Sequence, residues 1–164
     1  MVDGIKTPSD STVEMTQLVM PSDANVLGTA FGGKIVQWID LTAAMVAMRH
    51  ARMPVVTASI DRLNFLSPVR IGQVALLRGR LNAVFGSSME IEVEVLTEGP
   101  LTGERRRCCD AFVTFVCIDQ SGRPAPAPRL RLETPEERNR EREAQVRREQ
   151  RLAPRGGRGA GDRR

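Results

Sequence analysis

The chain has no tyrosine, one tryptophan and a single histidine in 164 residues. With only His50 available, a Ser–His–Asp or Cys–His arrangement would have to run through that residue. It falls at the end of a helical pattern, where a polar cap or a surface position is the expected role. No serine sits in a GxSxG elbow, and Phe85-Gly86-Ser87-Ser88 is not that motif. The three cysteines, Cys108, Cys109 and Cys117, are odd in number and show neither CxxC nor zinc spacing. They read as buried reduced thiols of a cytoplasmic protein, with no metal site. GxxxxGK and GxGxxG phosphate loops are missing too. So is any apolar run of bilayer length, and the polar opening MVDGIKTPSDST lacks the apolar core of a leader. These absences leave chemistry that needs only a carboxylate, backbone N–H groups and water.

What is present fits one domain with a sizeable core, since 41% of residues are hydrophobic. The net charge of +4 is unevenly placed. Residues 1–128 carry 12 Lys+Arg against 13 Asp+Glu, whereas residues 129–164 carry 12 Arg against 7 acids. The basic character belongs to the tail and says little about the domain. Five segments follow: an N-terminal tail (1–11), the folded domain (12–119), a Pro-rich arm (120–133), a charged helix (134–152) and an Arg/Gly tail (153–164). In the arm, QSGRPAPAPRLRL, proline alternating with small residues favours an extended chain. Thr134-Pro135-Glu136-Glu137 carries the N-cap, proline and glutamate of a helix start. That helix has little to bury and is expected to be solvated or lightly docked. The closing PRGGRGAGDRR is expected to be disordered; no aromatic residues interleave with its arginines, so it reads as a solubilising extension and not as a nucleic-acid partner.

Within the domain the hydrophobic period changes on entering and on leaving a single helical segment. From Gly33 to about Arg49 the apolar residues recur at helical spacing, with Ile35, Val36, Ile39, Ala43, Val46 and Ala47 on one stripe and Trp38, Leu41 and Met45 opposite. Such a helix is expected to be covered on both sides. Period-2 segments precede and follow it, at 12–20, 55–65, 73–85, 88–96 and 108–118. In the third, Ala75, Leu77, Leu81, Ala83 and Phe85 share a face; in the fourth, Met89, Ile91, Val93 and Val95 oppose Glu90, Glu92 and Glu94. The last segment is apolar on both faces, as a central strand would be. Short connections imply antiparallel neighbours, hence an α+β fold with the sheet wrapped around the helix. The two-sided helix and the acidic strand face leave surface for a second subunit.

The segment Pro21–Asp40, PSDANVLGTAFGGKIVQWID, concentrates the chemistry. Gly32 and Gly33 open the helix where its first N–H groups are free and its dipole favours negative charge, which is oxyanion-hole geometry. Asp40 lies about 10 Å further along the axis at ~1.5 Å per residue, at the edge of the apolar stripe. Its only cationic neighbour on the helix is Lys34, on another face, whereas Asp61 and Asp110 have arginines beside them and default to ion pairs. Asn25 is either a turn residue or a polar group of the site.

These residues, with VVTASIDRLNFLSPVRIGQV, FGSSMEIEVEV and the closing FVTFVCIDQSGRPAPAP, resemble the hotdog-fold acyl-CoA thioesterases over roughly residues 13–133. The resemblance implies an antiparallel sheet around a central helix, with dimers paired edge to edge and often assembled as hexamers. It implies an acyl-CoA substrate, no cofactor beyond the CoA of that substrate, and no metal. The family's catalytic aspartate falls on Asp40, acting as general base or nucleophile, and its asparagine on Asn25, the two coming from different subunits. The carbonyl-polarising glycines fall on Gly32 and Gly33. Phe31 stands where some relatives have histidine. By analogy, CoA contacts are expected at Thr57, Ala58 and Ser59, at Ser87 and Ser88, and at arginines near the cleft for the nucleotide phosphates. Hotdog proteins also include dehydratases, whose Asp/His arrangement this chain does not support, and acyl-CoA sensors that bind without turnover, which remain the alternative.

Overall fold

A computed structural model describes residues 4–153. A short strand, β1 (Val13–Leu18), leads through a loop into the helix α1 (Gly32–Ala51). Four longer strands follow: β2 (Val55–Phe65), β3 (Val74–Phe85), β4 (Ser88–Glu98) and β5 (Arg105–Cys117). A second helix, α2 (Pro135–Leu152), closes the described chain. The sheet is antiparallel throughout in the order β1-β3-β4-β5-β2, so β2 has one free edge. The expected elements are all found, α1 starting one residue earlier than its pattern suggested.

The concave face of the sheet wraps α1, which buries Ile35, Trp38, Ile39, Ala43, Val46 and Ala47 against Leu77, Leu81, Met89, Ile91, Val93 and Val113. The helix crosses β3 at Gly79, where an added Cβ would come within 2.8 Å of Val46 Cγ2 and 3.0 Å of Thr42 Cγ2. Only glycine permits that approach. The other side of α1 is only partly covered within one chain: Trp38 is buried and Met45 packs on the core, but Leu41 and Met48 are exposed, as is Phe31 just before the helix. The expectation of cover on both sides is therefore only partly met in the single subunit.

Two further expectations are corrected. The alternation in β3 does not run unbroken to Phe85. Register passes from Leu81↔Ile91 to Ala83↔Glu90, so Asn82 is an extra residue in a bulge. One inserted residue reverses every later side chain. Val84 thus packs on the core, and Phe85 turns to the outer face. The charged helix α2 is also more firmly docked than its composition suggests. It lies over the outer face of the sheet, where Glu90 is 1% exposed and receives Arg147 at 2.7 Å. Arg147 stacks 3.7 Å over the Phe112 ring, and Arg140 and Arg151 reach Glu92 and Asp61 at 3.9 and 3.0 Å. The acidic strand face assigned to a partner subunit is instead partly occupied by the chain's own basic helix. Its only buried apolar residue is Ala144, so charge complementarity, not apolar area, docks it.

The arm returns along the domain as extended chain and is anchored by His50, whose Nε2 lies 2.9 Å from the Pro128 carbonyl. His50 is fully buried, not a surface or capping residue, and its Nδ1 lies 3.4 Å from Ser11 Oγ. Residues 154–164, and with them nearly all of the predicted Arg/Gly tail, lie outside the described residues.

Candidate active site

The loop before α1 is built by short polar side chains. Asp23 accepts the Met20 N–H at 3.0 Å, its carbonyl accepts the Phe31 N–H at 2.9 Å, and Lys34 pairs with its carboxylate at 3.3 Å. Asn25 Oδ1 accepts the N–H of Leu27 at 2.9 Å and both the N–H and hydroxyl of Thr29 at 3.3 and 3.2 Å. This is an Asx-type turn. It occupies the Asn25 oxygen and leaves the Nδ2 hydrogens for another partner. A bridge between Thr29 and Arg70, and the Ala30 N–H to Val69 O bond at 2.8 Å, stitch the loop to the β2–β3 connection.

The first helical hydrogen bond is donated by Lys34 to Phe31 O at 2.9 Å. The N–H groups of Gly32 and Gly33 precede it and have no partner among the described residues. Space above Gly33 is open, since a Cβ there would meet nothing within 4 Å, while one on Gly32 would meet the Phe65 ring at 3.5 Å. A groove of about 390 Å³ opens here, lined by Thr29, Gly32, Ile35, Phe65, Leu66 and Pro68 among others. The apolar LNFLSP segment contributes much of its wall. Sequence reasoning placed that segment in a strand and turn and did not find the groove.

Asp40 is two turns further along α1 and half-buried. Its Oδ1 accepts a hydrogen bond from the Thr57 hydroxyl at 2.8 Å. Thr57 and Ala58 are exposed beside the free edge of β2. The residues named from sequence thus form two groups in one chain: Asn25, Gly32 and Gly33 in the loop and helix mouth, of which Gly32 lines the groove, and Asp40 with Thr57 at the edge strand. Asn25 and Asp40 share no contact. Ser59 turns outward to bond Asp61 at 3.0 Å. Ser87 lies in the β3–β4 turn and Ser88 begins β4, in the same sheet row as Val116 and Val56, across β5 from the edge.

Competing chemistries are accounted for structurally. Asp61 pairs with Arg151, not with its neighbour Arg62, and Asp110 pairs with Arg107 at 3.3 Å. All three cysteines are free and buried, and burial pushes the Cys117 thiol up, away from thiolate. Among the described residues no three His, Cys, Asp or Glu side chains cluster as metal ligands, and no helix is long and apolar enough to cross a membrane.

A five-stranded antiparallel sheet around one helix, with glycine amides at the helix mouth and a carboxylate on its flank, defines a hotdog-type α+β domain. Residues 27–104 match the Thioesterase superfamily. The chain belongs to that family, among its acyl-CoA thioester hydrolases. It is 41% identical over 117 residues to the "Uncharacterized acyl-CoA thioester hydrolase YkhA" of Bacillus subtilis, covering 71% of this chain and 68% of that protein. The cytosolic acyl coenzyme A thioester hydrolase of Rattus norvegicus is 37% identical over 77% of this chain, which spans only 35% of that longer protein. Among solved structures, an apo-hexameric acyl-CoA thioesterase superposes with a TM-score of 0.86 at 40% identity, over 92% of this chain and 98% of its own. An acyl-CoA hydrolase of Staphylococcus aureus, in complex with butyryl coenzyme A, coenzyme A and coenzyme A disulfide, gives 0.84 at 32% identity over 90% of each chain. The same Staphylococcus protein has been solved with alanine replacing an asparagine, an aspartate and a threonine. These are spaced by 15 and then 17 residues. Asn25, Asp40 and Thr57 have the same spacing.

Proposed function

We propose that the protein hydrolyses acyl-CoA thioesters to the free acid and CoA, with Asp40 as general base. The observation that carries this reading is the Asp40 carboxylate, held by one hydroxyl at 2.8 Å beside an open sheet edge, on a helix whose mouth offers two unpaired glycine amides. In this scheme the thioester carbonyl lies against the Gly33 N–H, with Gly32 adjacent, where the helix dipole and the amides stabilise the developing oxyanion. Asp40 takes a proton from water as the water oxygen attacks the carbonyl carbon. The C–S bond then breaks and CoA leaves as its thiolate. A thiolate needs little acid assistance, so a site without histidine suffices. The Asn25 amide, its oxygen already used by the loop, orients the water or the thioester through Nδ2.

We infer that the complete site forms between two subunits. Gly33 and Asp40 are about 10 Å apart along one helix at ~1.5 Å per residue, and Asn25 and Asp40 do not meet in one chain. The exposed Val26, Leu27, Phe31, Leu41, Val56 and Phe65, together with the free edge of β2, supply the contact surface. Edge-to-edge pairing of β2 would set the Asn25 and Gly33 of one chain near the Asp40 and Thr57 of the other. A hexamer of three such dimers accords with the hexameric relative. CoA would run along Thr57, Ala58 and Ser59 towards Ser87 and Ser88, and the cytosolic relatives favour a cytoplasmic location.

Release of free thiol from butyryl-CoA tests the reading. Wild type is expected to turn over, and Asp40→Asn to lose roughly 10²–10⁴-fold in kcat, the usual contribution of a general base, with unchanged melting temperature. Turnover undiminished in Asp40→Asn removes Asp40 from the chemistry. CoA binding without turnover by wild type identifies a sensor instead.

A further inference from the structure

Cys108 and Cys109 are buried nucleophiles that the proposed hydrolysis leaves unused. In a regular strand two consecutive side chains point to opposite faces of the sheet. Here register passes from Val95↔Cys109 to Leu96↔Arg107, so Cys108 is an extra residue in a bulge of β5. Both side chains consequently turn into the core, where each is 0% exposed and the two thiols are hydrogen-bonded to each other. The bond from Cys109 pulls the Cys108 thiol below its ordinary value, against the upward push of burial. Cys117, the third cysteine, sits at the far end of β5 opposite Val55.

The same bulge carries one wall of the groove. The Cys108 carbonyl accepts the N–H of Leu66 at 2.7 Å and that of Ser67 at 3.4 Å, and the Arg107 carbonyl accepts the Ser67 hydroxyl at 2.8 Å. Phe65 stands opposite Cys109. Phe65, Leu66 and Ser67 line the groove together with Gly32. The wall therefore hangs on the backbone at the two thiols. Its cover is thin, since Phe65 and Leu66 are themselves exposed. Local opening of the two amide bonds to Cys108 admits a small oxidant without unfolding the sheet.

We propose that Cys108 and Cys109 form an oxidisable dithiol, which a hydroperoxide closes to a vicinal disulfide that loosens the groove wall. The Cys108 thiolate attacks a peroxide oxygen, the O–O bond breaks, and the leaving oxygen departs as alcohol or water with the proton that Cys108 gave up. The Cys109 sulfur then attacks the sulfenic acid so formed, the S–O bond breaks, and the hydroxyl leaves as water with the Cys109 proton. The two thiols lose two electrons, and the hydroperoxide is reduced. Neighbouring Cα atoms are about 3.8 Å apart, short of the usual span of a disulfide. Ring closure therefore twists the peptide between the two cysteines and turns the carbonyl that holds Leu66 and Ser67. Strained bridges of this kind are readily reduced, so the change reverses. Its effect on turnover rests on the acyl-CoA reading of the groove; formation of the bridge does not.

The test treats wild type, Cys109→Ala and Cys117→Ala briefly with hydrogen peroxide and measures intact mass, residue-resolved amide exchange and loss of butyryl-CoA by its thioester absorbance. Wild type and Cys117→Ala should each lose the mass of two hydrogens and regain it with dithiothreitol, whereas Cys109→Ala should gain one oxygen at Cys108. Phenylarsine oxide, which closes a ring across two adjacent thiols with loss of water, should bind the first two proteins and not Cys109→Ala. In oxidised wild type the Leu66 and Ser67 amides should exchange about tenfold faster. KM for butyryl-CoA should rise severalfold and return on reduction, with the oligomeric state unchanged. No loss of mass in wild type, a bridge that uses Cys117 or joins two chains, unaltered exchange at Leu66 and Ser67 in the bridged protein, or an unaltered KM would each overturn the proposal. If wild type does not hydrolyse butyryl-CoA at all, the hydrolytic reading fails, while a reversible bridge with faster exchange at Leu66 and Ser67 still upholds the dithiol.

Discussion

His50 shows how a single side chain joins distant parts of this chain. Its ring lies between Ser11 and the Pro128 carbonyl, tying the N-terminal segment and the returning arm to the end of α1. Burial pushes the imidazole below its ordinary value of 6.5. The folded protein therefore holds His50 neutral where the unfolded chain would take up a proton. Stability contributed in this way rises with pH below about 6.5 and is lost as pH falls. The melting temperature is expected to drop between pH 7 and pH 5, and His50→Gln, which keeps a donor for Pro128 O, is expected to flatten that slope. An unchanged slope would place the acid sensitivity elsewhere. Sequence alone misread this residue because its partners are 39 and 78 positions away. Asn25, Gly32, Gly33 and Asp40 stand out as candidates in the sequence for the opposite reason. They are local oddities, polar or backbone-permissive residues in a stretch whose neighbours are apolar.

Among the elements, α1 and β4 were legible because each carries one uninterrupted hydrophobic period. The bulge at Asn82 was not, since a single extra residue leaves the composition of β3 intact while reversing the faces of Val84 and Phe85. Helix α2 was recognised from its Thr134 capping box, but its docking was invisible, because Arg147 finds Glu90 across 57 residues. That ion pair is expected to dominate the attachment of the helix. Its side chains are 10% and 1% exposed, and removing one partner strands a buried charge. Arg147→Ala should therefore cost on the order of 3 kcal/mol in urea denaturation. Arg106→Ala, whose pair with Glu104 is mostly solvent-exposed, should cost under about 1 kcal/mol. Equal losses in the two variants would show that α2 is not held by this bridge. Because Arg151 of the same helix grips Asp61, α2 also braces the strand that carries Thr57.

At the scale of the whole molecule, one subunit holds the parts of the proposed hydrolytic site without assembling them. Gly32 lines the groove at Phe65 and Asn25 holds its Thr29 wall, Asp40 faces Thr57 at the sheet edge, and Val26, Leu27, Phe31 and Leu41 are exposed. Assembly across a two-fold axis accounts for all three features at once. Subunit complementation tests this central claim most directly. Asn25→Ala and Asp40→Asn are each expected to be nearly inactive alone. Unfolded together in equal amounts and reassembled, they give half mixed dimers, each with one intact site of its two, so about a quarter of wild-type activity should return. A mixture no more active than the separate variants would show that both residues serve the same subunit's site and would contradict the account.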